Sequence, residues 1–108
     1  MKLLKLTPAG DCSVVEIEEF DLDRQLEQMY QLIGCDTIEI VRLRGGGCLI
    51  VDDSGWLRED PEINPAAMIL ADQPIVGVAL LGSIRHDPDG DMITGYQGSW
   101  MFGGDCYE

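Results

Sequence analysis

The stretch Ile75–Arg85, IVGVALLGSIR, is apolar at positions of both parities. As a strand it would hide both of its faces, so it belongs inside a sheet, not at an edge. The other strands can be read from alternation. Residues Lys2–Thr7 alternate Leu with Lys, PAGD turns the chain, and SVVEIEEF alternates again, which predicts a hairpin. TIEIVRLR and CLIVDD are read as a third and fourth strand, WLRED as a short strand or extended arm, and MITGY as a weaker last strand.

Between the second and third strands the period changes. In DLDRQLEQMYQLIG the residues Leu22, Leu26, Met29, Tyr30 and Ile33 form one stripe of a helix. Asp21 suits the N-cap and Gly34 the left-handed position after the helix. This stripe is expected to face a sheet that includes Val76, Val78 and Leu80 or their neighbours. A second, short helix is predicted over Ala66–Leu70, with Asn64 as cap and Pro65 at the first position. The expected fold class is α+β, a single small domain over residues 1–98. It has a ββαββ-type mixed sheet, compatible with a β-grasp-like arrangement, one main helix packed on a face, a short second helix and one or two further strands. Residues 99–108 read as a C-terminal arm or tail.

Gly45–Gly47 could cradle a phosphate or turn a hairpin. A phosphate loop needs a helix after the glycines, and CLIV is β-forming. No Lys-Ser or Lys-Thr follows, and Asp52 and Asp53 would repel an anion. Glycine accepts positive φ without a steric cost, which a tight hairpin needs. The glycines are therefore read as a hairpin turn.

Charge separates the functional classes. Twenty acids against seven bases leave a net charge of −13, so direct binding to a nucleic-acid backbone is disfavoured. The acids serve solubility, or they form a surface shaped for a basic groove on a protein partner. No apolar run reaches the length of a membrane span. No secretory signal is recognised, so a cytoplasmic protein is expected. The four cysteines contain no C-x-x-C pair and the chain has one His. Free thiols and no structural metal are expected. HDPDGD is read as a turn, since its spacing does not fit a calcium loop. No catalytic motif is found, and neither a cofactor nor an enzymatic activity is expected.

At IEIVRLRGGGCLIVDDSGWL and PIVGVALLG the chain resembles a family of short proteins of unassigned function carried by phages, plasmids and other mobile elements. The resemblance spans about residues 1–85, with the triple glycine and the SWMFGGDCYE tail as departures. It implies an accessory protein acting on a host system and carries over no site residues.

Two readings of function follow. In the first, a non-enzymatic acidic protein binds and inhibits a host protein such as a defence nuclease, with nucleic-acid mimicry as the means. Its partner-binding candidates are Glu16, Glu18, Asp23, Glu27, Asp52, Asp53, Trp56, Trp100 and Phe102. In the second, a nucleotide-like ligand meets Arg42, Arg44 or Arg85 through its phosphates, with Trp56 or Trp100 stacking on a base. Homo-oligomerisation is compatible with either.

Overall fold

The computed structural model describes residues 1–43, 46–88 and 90–95. Among them six strands form one sheet: β1 (Lys2–Leu6), β2 (Cys12–Glu16), β3 (Ile38–Arg42), β4 (Gly47–Asp52), β5 (Ala79–Asp87) and β6 (Gly90–Thr94). The order is β2-β1-β5-β4-β3, and β6 also pairs with β5. The nine-residue β5 pairs through Ala79–Leu81 with β1 and through Ser83–Asp87 with β6. Its other side pairs with β4. The α+β class and the ββαββ order hold. The sheet is not mixed, because every strand pair is antiparallel.

The double-sided apolar pattern of the central strands has a direct cause. Helix α1 (Leu22–Ile33) covers one face, where Leu3, Ile50 and Leu80 pack with Ile17 and Met29. Helix α2 (Pro65–Ala71) lies on the other, where Leu4, Leu49 and Leu81 pack with Ala67 and Ile75. Neighbouring residues on one strand thus enter different cores. Each fully buried Leu contributes roughly 1.5–3 kcal/mol.

Both helices carry the expected caps. The Asp21 carboxylate accepts from the backbone N–H groups of Asp23 and Arg24, and Gly34 ends α1 at φ 83°. Asn64 caps α2 by accepting from the N–H of Ala67 at 3.2 Å. Its amide also donates to the carbonyls of Leu6 and Gly77, at 3.0 and 2.9 Å. This fully buried side chain therefore fastens α2 to β1 and to the approach to β5.

The face that α1 presents differs from the expected stripe. Leu22 is 60% exposed and Leu26 37%, while Gln25 is buried beside Met29. The Gln25 side chain donates to the Glu18 carbonyl at 3.0 Å, and the Glu18 N–H donates to the Gln28 side chain at 2.6 Å. These two glutamines turn the helix about its axis and draw it onto the β2–α1 connection. Met29 and Ile33 still face the sheet, as does Leu80, whereas Val76 lies outside β5 in an isolated bridge with Ile63. WLRED is neither strand nor arm. Its first two residues complete a single 3-10 turn, Gly55–Leu57.

The glycines turn a hairpin. Arg42 pairs with Cys48, the Leu43 N–H donates to the Gly47 carbonyl at 2.9 Å, and Gly46 sits at φ 93°. Gly82 has another role, in the middle of β5. A Cβ there would lie 2.7 Å from Leu3 Cδ2 and 2.9 Å from the Thr94 carbonyl oxygen. Its absence lets β1 and β6 meet end to end beside one strand.

Candidate functional site

Acidic side chains gather where β2 gives way to α1. Glu16, Glu19, Asp23 and Glu27 are exposed, and Arg24 is the one base between positions 11 and 27. Glu18 braces this surface from within. Its carboxylate accepts from the N–H groups of Phe20 and Asp21, at 3.1 and 3.4 Å. Those backbone donors hold its carboxyl below the ordinary value. Asp21 is occupied as the helix cap, so the connection is fixed at both ends. Asp23, in the first turn, also lies at the positive end of the α1 dipole, which favours negative charge.

The opposite end of α1 is built differently. α1 has no basic residue in its last turn, and Arg58 supplies the cation from another part of the chain. Its Nη2 donates to the Gly34 carbonyl at 2.9 Å, while Nε and Nη2 both approach Asp52 Oδ2 at 2.7 Å. The Asp52 side chain is only 6% exposed, and its Oδ1 accepts from the Ser54 N–H at 2.9 Å. The carboxylate raises the pKa of the Arg58 guanidinium. Beside this pair lies an open cleft of about 260 Å³ whose lining includes Pro8, Ile33, Gly34, Glu62 and Val78. Cys35, half-buried nearby, has its thiol pushed up by burial and then by Asp52.

The expected partner-binding residues therefore fall into two groups. Glu16, Glu18, Asp23 and Glu27 lie along one stretch of chain, from the end of β2 through the first half of α1. Asp52, Asp53 and Trp56 stand at the far end of α1, a separation of roughly 18 Å for a twelve-residue helix. Asp53 is exposed and Trp56 is 56% exposed, but the Asp52 carboxylate is committed to Arg58 and Ser54. Trp100, Phe102 and Arg44 lie outside the described residues.

The ligand-binding set does not converge. Arg42 pairs with Cys48 and Cys48 with Gly82, which places Arg42 on the α1 face. Arg85 has the opposite parity on β5 and lies against Met92 on the other face. Trp56 follows the C-terminal end of β4, whereas Arg42 pairs near its start. The intervening strand is roughly 14 Å long at 3.4 Å per residue.

A family model described as a domain of unknown function, DUF3846, matches residues 1–98. The chain belongs to the DUF3846 family. No curated protein and no solved structure matches it.

In this DUF3846 chain, sequence reasoning missed Arg58, Gln25 and the further bonds of Asn64. The available signal for Arg58 was indirect: a long helix ending without a base in its last turn, and a lone Arg after the DDSG turn. Among the cysteines, Cys35 and Cys48 are free. Cys12 is disulfide-bonded, so the expectation of free thiols fails there. Among the described residues no helix is long and apolar enough to cross a membrane.

Proposed function

We propose that this chain is a non-enzymatic, acidic binding protein of a phage or other mobile element, acting in the cytoplasm of the bacterial host. It docks into a basic groove of a host protein, such as a defence nuclease, and inhibits it by occupying the place of nucleic acid. One observation carries this reading: Glu16, Glu19, Asp23 and Glu27 are each exposed along the stretch from the end of β2 into α1, and Glu18 and Asp21 fix the link between the two elements by accepting from backbone N–H groups. A connection already held by backbone hydrogen bonds loses little freedom on binding, which favours affinity as well as attraction. The resemblance to mobile-element proteins and the net charge of −13 point the same way. The positions of Arg42, Arg85 and Trp56 lend no support to a nucleotide-binding site.

The test begins with capture of a partner from host lysate. Association is then measured across a range of salt, beside a variant with Glu16, Glu19, Asp23 and Glu27 changed to Lys. Exposed charges are screened beyond about 8–10 Å near physiological ionic strength. Binding should weaken steeply with salt, chiefly through slower association, and the reversal variant should not bind. Salt-independent affinity together with an active reversal variant would discard mimicry.

A further inference from the structure

Two neighbouring rows run along α1. Leu22, Leu26 and Tyr30 stand four residues apart, and so do Asp23, Glu27 and Gln31. On a helix such residues line up, and the two rows meet through the three-residue pairs Asp23–Leu26 and Glu27–Tyr30. On its other side the leucine row meets Gln25 and Met29, which are buried. The leucines therefore border the helix face that packs on the sheet, and the acids lie next to them on the solvent side. Leu22, Leu26, Asp23, Glu27 and Gln31 are all exposed.

Phe20 adds to the apolar surface at the head of this helix. An apolar residue just before a helix cap ordinarily packs on the fourth helical residue. In α1 that residue is Gln25, whose side chain is drawn to the Glu18 carbonyl. Phe20 is left 87% exposed. Single exposed apolar residues are ordinary, but a group of them rimmed by polar residues marks a contact surface. Charge selects what can cover it. A second copy would set acids against acids, on chains of net charge −13. Residues 96–108 include Asp105 and Glu108 and no base, so they offer no complement. A segment that carries Lys or Arg beside an apolar strip complements both rows.

We infer that α1 docks a basic amphipathic segment of another protein. That segment lays apolar side chains on Phe20, Leu22 and Leu26, and Lys or Arg side chains on Asp23 and Glu27. This contact rests on the proposed binding of a basic partner and adds an apolar half to it. Charge speeds the encounter, and burial of the leucines holds the complex.

The test uses two synthetic peptides of identical Leu and Lys content. One places its Leu residues on a single helix face, and the other is scrambled so that no face is apolar. Titration calorimetry with the full chain should find the amphipathic peptide bound at least ~10-fold more tightly. Leu22→Ser combined with Leu26→Ser should remove that preference, while Ile69→Ser, at an exposed apolar position on α2, should keep it. In the wild-type chain, backbone amide shifts on adding the amphipathic peptide should be largest over residues 20–30, a measurement that needs no variant to fold. Equal affinity for the two peptides overturns the contact, as does a preference that survives in the folded double variant, or shifts centred on another element. Equal affinity that still falls steeply with salt would discard the apolar half alone and leave charge-driven docking standing, so the two readings fail separately.

Discussion

Arg58 and Asp52 meet at 2.7 Å across the end of α1, and the same guanidinium holds the Gly34 carbonyl. The half-exposed Arg58 side chain thereby ties the 3-10 turn, the end of β4 and the helix C-terminus together. Because the two residues act as one unit, their substitutions should not add. Arg58→Ala and Asp52→Ala should each lower the melting temperature, and the double variant should melt no lower than the worse single one. Additive losses in that cycle would show that the pair is only a surface contact.

Asn64 should be among the costliest polar positions to change. Asn64→Ala removes a helix cap and leaves the Leu6 and Gly77 carbonyls without their donor, for a loss of roughly 2–4 kcal/mol. Asn64→Asp keeps the cap but aims a carboxylate at two carbonyls. Protonation removes that repulsion and restores one donor, so the Asp variant should regain stability relative to wild type as pH falls. Chemical denaturation of both variants across the acidic range reads this directly.

The turn imposed on α1 by Gln25 and Gln28 ranks two substitutions. Met29 is fully buried and Leu26 is 37% exposed. Met29→Ala should cost roughly 2–5 kcal/mol, and Leu26→Ala clearly less. Urea unfolding that found Leu26→Ala the more damaging would mean that the helix packs through the Leu22–Leu26 stripe after all.

At the β3–β4 turn, Gly46→Val should destabilise by roughly 1–3 kcal/mol, through backbone strain at positive φ and not through a clash. A Cβ at Gly46 would meet nothing within 4 Å. Gly46→Asn, which tolerates the left-handed region better, should lose less. Equal losses for the two in thermal unfolding would refute strain as the cause.

Burial raises the Cys48 thiol from its ordinary 9.0 to about 11. The folded state therefore favours the neutral thiol. Its contribution to stability is complete below the unfolded-state pKa and is lost as pH rises from there towards 11. Wild type should lose stability over that alkaline range more steeply than Cys48→Ala. In the native protein at neutral pH, a thiol reagent should label Cys35 before Cys48.

Local interactions made much of this fold legible in advance. The α1 boundaries follow from Asp21 and Gly34, and α2 from Asn64 and Pro65, because each cap bonds within its own turn. The β3–β4 hairpin was readable because its glycines separate two β-forming runs. Gln25 was not readable: its partner is the Glu18 carbonyl, and nothing in a polar residue between two leucines announces that it will be buried. Arg58 was hidden for the same reason, since its two partners stand six and 24 residues away. Acidic clustering was visible, but only the bonds of Glu18 and Asp21 reveal which acids brace and which are displayed.

The position of β5 governs the order in which this molecule can assemble. β1–β2 and β3–β4 are local hairpins, yet among the described residues no strand pair links them except through β5. Leu81 is the meeting point, opposite Leu4 on one side and Leu49 on the other. A chain truncated before β5 should therefore form no smaller domain, because the β1–β2 and β3–β4 hairpins would each be left with the edge that β5 covers.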